Sequence, residues 1–218
     1  LRLLAHLSQD KGFIQAFLHH EDIHARTASE VFGVPLSEVT PELRRHAKAV
    51  NFGIVYGISD FGLARNIGIS RKEAAQYIEN YFARYPMVKQ FMDKTIEIAH
   101  ESGGVTTMFG RRRALPAIYS RNFQERSLAE RMAMNTPIQG SAADIIKLAM
   151  IAGAEKLRQA KLQSRILLQV HDELVVETVA AEAEEVQALL KTVMEGVVSL
   201  SVPLVVDVHM GKNWAEAK

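Results

Sequence analysis

The hydrophobic pattern of this 218-residue chain changes period late, and that change limits what it can fold into. Up to about Ala160 the apolar residues recur at helical spacing. Met87, Val88, Phe91, Met92, Ile96 and Ala99 show it, and Ile145, Ile146, Leu148, Ala149, Ile151, Ala152 and Leu157 show it again. Ser164–Val170 and Leu174–Thr178 are instead β-rich runs of Ile, Leu and Val with His171, Asp172 and Glu173 between them, which predicts a β-hairpin with acidic residues at its turn. Ala181 to about Val198 returns to helical spacing. Pro203–Val208 predicts a last strand, and Gly211–Trp214 a tail docked by the only tryptophan. The fold class is therefore α+β, a largely helical lobe plus part of an antiparallel sheet.

Within the helical lobe, Ser70-Arg71-Lys72-Glu73 is a capping box that opens a helix to about Arg84. Pro86 punctuates it, and Gly103-Gly104 stops the next helix. Val105–Phe109 predicts a short strand. Thr136-Pro137 predicts a break between helices at Phe123–Asn135 and Ile138–Ala160.

The segment Thr40–Gly57, TPELRRHAKAVNFGIVYG, is the most unusual helix. Thr40 suits an N-cap, Pro41 the first turn and Gly57 the exit. Arg44, Lys48, Phe52 and Tyr56 recur every four residues and form one slowly drifting stripe. Two cations followed by two aromatics suit an anionic, partly flat ligand such as a nucleotide. A solvated helix face with Phe52 and Tyr56 in the core gives the same spacing.

Net charge is +1, from 26 Lys and Arg against 25 Asp and Glu, so the chain is not a uniformly basic nucleic-acid binder. The charges are unevenly placed. Arg111, Arg112, Arg113, Arg121, Arg126 and Arg131 cluster, while Asp172–Glu195 leans acidic. A basic lining with acidic metal-binding ground elsewhere has this pattern, as does chance segregation of surface charge. The absence of cysteine excludes disulfides and thiolate zinc sites. No apolar run is long enough to cross a bilayer.

Asp172 and Glu173 are the sharpest acidic feature. Carboxylates at a tight turn between apolar strands suit a divalent cation, with Mg²⁺ accepting oxygen ligands and keeping waters. A solvated turn is the other reading. Arg131, Asn135 and Gln139 are spaced by four and carry groups that can read minor-groove acceptors, or simply a polar helix surface. Arg111 opens an arginine run suited to phosphate. His24 suits a phosphate contact or an ordinary first-turn histidine.

RRHAKAVNFGIVYG (Arg44–Gly57) and QVHDE (Gln169–Glu173) resemble motifs of family A DNA polymerases, the bacterial DNA polymerase I type. EDIHARTASEVF, TMFGRRRALP, RMAMNTPIQGSAADIIKLAM and GKNW resemble that family too, in its order, so the resemblance covers essentially the whole chain. It implies a truncated right-hand polymerase domain: residues 1–40 a helical palm-to-fingers segment, 41–115 fingers, 116–218 palm with the hairpin. It implies template-directed DNA synthesis by two-metal nucleotidyl transfer from dNTP to a primer 3′-hydroxyl, with two Mg²⁺ ions. His24, Arg44 and Lys48 would hold the triphosphate, and Lys48 would assist departing pyrophosphate. Phe52 would stack beside the incoming nucleotide and reject dideoxy analogues, and Tyr56 would occupy the template-side stacking position. Asp172 would bind metal with Glu173 auxiliary, while His171 would lie by the primer terminus. Arg131, Asn135, Gln139 and Arg111 would contact primer–template DNA.

In that family a second catalytic aspartate and a ribonucleotide-excluding glutamate lie just before the segment resembling Leu1–Asp10. The chain therefore reads as part of a longer polymerase that is active when complete and inactive as this piece. The resemblance places it in the bacterial cytoplasm on the nucleoid, with no membrane partner and no obligate oligomer. A non-catalytic duplex-DNA-binding module and a metal-dependent nuclease or phosphatase are the alternative functions.

Overall fold

The structure, a computed structural model, describes residues 1–217. It is α+β and mostly helical, with two separate antiparallel hairpins. Packing divides the chain into two compact units, Leu1–Gly140 and Ser141–Lys218. This division concerns packing alone and falls inside one long helix.

The first unit begins with α1 (Arg2–Ser8), α2 (Lys11–Leu18) and α3 (Ile23–Phe32). Asp10 and Asp22 cap α2 and α3 by accepting two backbone N–H groups each, which answers part of the unmet donor set of a helix N-terminus. α4 (Pro41–Val55) starts as its sequence predicts, with Thr40 Oγ1 accepting from Leu43 N and Pro41 in the first turn. α5 (Asp60–Ile67) ends at Gly68. α6 (Arg71–Arg84) has both halves of its capping box, and α7 (Pro86–Ser102) ends at Gly103. Phe13, Tyr81 and Tyr85 form a buried aromatic centre, with Phe13 and Tyr85 edge to face at 4.4 Å between ring centroids.

β1 (Gly104–Thr106) pairs with β2 (Arg112–Ala114), with Val105 opposite Arg113. The expected short strand at Val105–Phe109 is thus shorter, and the arginine run forms its partner. Val105, Leu115 and Ile118 pack with Ala99 of α7 and with Ala129 and Ala133. The last two belong to α8, which runs unbroken from Phe123 to Gln159 with Pro137 inside it. The predicted break at Thr136-Pro137 does not occur. Proline removes one backbone donor, at a cost of about 3 kcal/mol in a helix interior. Burial of Ala129, Ala133, Ile138, Ile146 and Ala149 along α8 offsets that cost. Thr136 Oγ1 also donates to the Met132 carbonyl beside the proline.

In the second unit, β3 (Arg165–Val170) and β4 (Glu173–Glu177) form the expected hairpin, with Val170 opposite Glu173 and an irregularity between Ile166 and Leu168. α9 (Ala183–Gly196) packs Val186 and Leu190 against Leu157, with Ile166 and Val176 alongside. Pro203–Val208 does not form the expected strand. Its backbone is held by side chains of α9: Val206 N donates to Glu195 Oε1, and Lys191 Nζ donates to the Val206 carbonyl. Trp214 is 44% exposed.

Candidate functional site

The face built by α3 and α4 starts with Asp22. Its Oδ1 accepts from the backbone N–H of His24 at 3.0 Å and of Ala25 at 3.1 Å, and its Oδ2 accepts from Arg44 Nε at 2.6 Å. One carboxylate therefore caps the start of α3 and fixes a cation of α4. Burial alone would raise the Asp22 carboxyl. The Arg44 guanidinium and the two N–H donors outweigh burial and hold it below its usual range. Burial pushes the His24 imidazole down. Asp22 opposes that shift, while Arg44 and Lys48 add to it. The His24 ring lies 5.8 Å from the Phe52 ring, tilted by 42°.

Arg44, Lys48, Phe52 and Tyr56 are all exposed. Phe52 is 40% exposed and Tyr56 48%, which removes the reading that places them in the core. The structure thus collects His24, Arg44, Lys48 and Phe52 on one face. Cations at one end and aromatic rings at the other can hold an anionic, partly flat ligand.

Beneath that face lies Asn51, fully buried. Its Nδ2 is 3.1 Å from His24 Nδ1 and donates to Thr27 Oγ1 at 3.0 Å. The sequence reading passed over Asn51 and Thr27. The available signal was an amide among Ala47, Val50 and Ile54 on the buried side of α4. A polar group there has to find partners.

The C-terminal end of α4 meets α8. Tyr56 Oη accepts from Gln139 Nε2 at 2.9 Å, and Gly57 lies against Arg131 and Met134. Asn135 Oδ1 is buried with no hydrogen-bond partner among the described residues. Arg111 donates to the Gly140 carbonyl at 3.0 Å, possible because Gly140 leaves room where a Cβ would sit 2.6 Å from Thr107 Cγ2. Arg111, Arg131, Asn135 and Gln139 therefore share the region formed by the β1–β2 hairpin and the first half of α8.

His171, Asp172 and Glu173 belong to the second unit. His171 and Asp172 form a two-residue turn, with His171 at φ 54° and its carbonyl accepting from Gln169 Nε2 at 2.8 Å. Glu173 is the first residue of β4. All three are exposed. No group of three or more metal-ligating side chains occurs among the described residues. The two carboxylates nonetheless fit the habit of Mg²⁺, which binds through one or two carboxylates and keeps water or phosphate oxygens for the rest of its shell.

Residues 1–216 match the sequence profile of DNA polymerase family A. The chain belongs to DNA polymerase family A. DNA polymerase I of Caldicellulosiruptor bescii is 56% identical over 218 residues, which are 100% of this chain and 26% of that protein. DNA polymerase I of Geobacillus stearothermophilus is 57% identical over 218 residues, 100% of this chain and 25% of that protein. The chain thus spans about a quarter of the length of the curated relatives it matches. Among solved structures, the POL domain of Pol1 from M. smegmatis, in complex with DNA primer-template and dNTP, is 48% identical with a TM-score of 0.95. The match covers 99% of this chain and 38% of that one. The family A fold is accordingly that of the fingers and palm of a right-hand polymerase, largely helical with a small antiparallel component.

Proposed function

We propose that this chain forms the nucleotide-binding face and part of the metal-binding ground of a template-directed DNA polymerase, which joins a dNTP to a primer 3′-hydroxyl. The exposed stripe Arg44–Lys48–Phe52–Tyr56, with His24 beside it, is the observation that carries this reading. Family membership and the solved relative with DNA and dNTP support it. The activity is that of the whole polymerase, given the length of the relatives.

In this reading Arg44, Lys48 and His24 bind the triphosphate, where charge-assisted hydrogen bonds are strongest. Lys48 moves its proton toward departing pyrophosphate. Phe52 stacks beside the sugar and base and disfavours dideoxy analogues. Tyr56, tethered by Gln139, holds the template-side stacking position until α4 closes over a correct pair. Arg111, Arg131, Asn135 and Gln139 hold the primer–template duplex, and His171 lies by the primer end. Asp172 and Glu173 would hold Mg²⁺. When bound, the two ions of such a site neutralise the phosphates and make the primer hydroxyl more acidic. DNA as partner places the protein on the nucleoid.

The test is magnesium-dependent primer extension by the polypeptide that carries this chain. Asp172→Ala should lower turnover by at least ~10²-fold, the loss typical when a group stabilising transition-state charge is removed, with duplex affinity nearly unchanged. Lys48→Ala should mainly impair nucleotide use. Equal losses of turnover and duplex affinity in Asp172→Ala, or normal nucleotide use by Lys48→Ala, would contradict these roles. Salt-dependent DNA binding without nucleotide incorporation would favour a non-catalytic DNA-binding module. Hydrolysis without incorporation would favour a nuclease or phosphatase.

A further inference from the structure

The Asn51 amide is fully buried between α3 and α4, and its hydrogen bonds determine which nitrogen of His24 carries a proton. Thr27 has one hydroxyl proton, and its closest acceptor is the Ile23 carbonyl at 2.7 Å. With that proton committed, Thr27 Oγ1 receives a hydrogen bond, and Asn51 Nδ2 supplies it at 3.0 Å. The contact of Thr27 Oγ1 with Asn51 Oδ1 is longer, at 3.3 Å. The amide NH₂ therefore faces Thr27, and its second proton points to His24 Nδ1 at 3.1 Å. A nitrogen that receives an N–H is a lone pair, so a neutral imidazole must carry its proton on Nε2.

We propose that Asn51 is a positioning residue that fixes His24 as the Nε2–H tautomer, so that the imidazole presents an N–H donor to a nucleotide phosphate. The proposal rests on the reading of His24 as a triphosphate contact. Asn51 also opposes protonation of the ring, because an Nδ1–H would face another donor. The charged side chains around the ring are Asp22 at the start of α3 and Arg44 and Lys48 on α4. With Arg44 and Lys48 supplying positive charge, His24 contributes direction rather than a further cation.

Asn51→Asp reverses the chemistry. A carboxylate accepts from Nδ1–H, so the ring becomes an imidazolium at low pH and the Nδ1–H tautomer at high pH. The imidazolium still donates from Nε2, whereas the Nδ1–H tautomer offers the phosphate a lone pair. In primer extension with the full polymerase, the ratio of variant to native nucleotide KM should rise from about one near pH 6 to about tenfold near pH 8.5, a range that spans an imidazole brought into titration. That pH dependence should vanish when both proteins also carry His24→Ala. A simple packing defect would raise KM evenly across pH and would persist without His24.

Nitrogen spectra of histidine-labelled native protein without nucleotide supply a second readout that depends on no variant folding. They should show His24 protonated on Nε2 and not on Nδ1, with the signal assigned through its loss in His24→Ala. A native Nδ1–H tautomer, or a flat KM ratio, overturns the proposal. An unchanged KM in His24→Ala alone overturns the phosphate contact, and the phosphate half of the proposal with it. The spectra then decide the tautomer separately, so the two failures are distinguishable.

Discussion

Glu30 on α3 ties that helix to the junction of α6 and α7 through one carboxylate. Its Oε1 accepts from Arg26 Nε at 3.0 Å and Arg84 NH2 at 2.7 Å, and its Oε2 accepts from Tyr85 Oη at 2.6 Å. Burial would raise this carboxyl, but Arg84, Tyr85 and Arg26 outweigh it and hold Glu30 below the usual 4.5. A carboxyl lowered in the folded state adds stability above its unfolded pKa and loses it as pH falls through the folded value. Glu30→Gln should therefore cost about 1–3 kcal/mol near neutral pH, because Tyr85 and two guanidinium groups lose their ionised acceptor. The variant should also lose part of the native protein's destabilisation below about pH 4.5. Urea unfolding of both proteins at neutral and acid pH checks this, and equal stabilities would refute it. Nothing in the sequence marked Glu30, because Arg84 and Tyr85 lie more than fifty residues away. The stripe was legible for the opposite reason: Arg44, Lys48, Phe52 and Tyr56 share one helix and one spacing. Asn51 sits one residue off that stripe and takes its meaning from α3, so spacing could not show it.

At the scale of elements, local chemistry foretold the starts and stops of α4, α6 and α7, because caps act within a turn of their helix. The β3–β4 hairpin was legible through its β-rich runs and the acidic break between them. Two expectations failed where tertiary partners decide. Proline chemistry argued for a break at Pro137, but burial along both sides of it carries α8 through. The β-branched run near Val206 reads as a strand, but α9 side chains take up its backbone groups. Gly57 is the element-scale position most exposed to test. It follows α4 at φ 65°, and a Cβ there would sit 2.5 Å from Met134 Cε and 2.9 Å from Arg131 Cγ. Gly57→Ala thus combines left-handed strain with overpacking, and should destabilise the protein by about 2–4 kcal/mol. It should also disturb the Tyr56–Gln139 hydrogen bond next to it, raising nucleotide KM. A thermal melt with wild-type midpoint and an unchanged KM would show that α8 gives way at no cost.

Across the whole molecule, charge balance conceals function. A net charge of +1 says little about DNA, whereas the basic region from Arg111 to Arg131 says more. Arg112 donates to the Ser102 carbonyl, and Arg113 to Thr136 Oγ1. Arg126 donates to the Ser120 carbonyl and lies over the Phe123 ring. Such neutral partners orient a guanidinium without cancelling its charge, so the region stays positive toward an anionic polymer. The sequence motifs identified the family across the chain, but the packing division at Gly140 was not legible, since it falls within one uninterrupted helix. Arg131 offers a test of the positive region, being exposed on α8 beside Gly57. A cation that meets backbone phosphate releases about one counterion, whatever the base sequence. Arg131→Ala should therefore weaken duplex binding by the same factor on unrelated sequences, and should reduce the slope of log affinity against log salt by about one. Titrations on two unrelated duplexes over a range of salt concentrations provide the check. A loss confined to one duplex would make Arg131 a base-reading residue, and an unchanged slope would remove it from the DNA contact altogether.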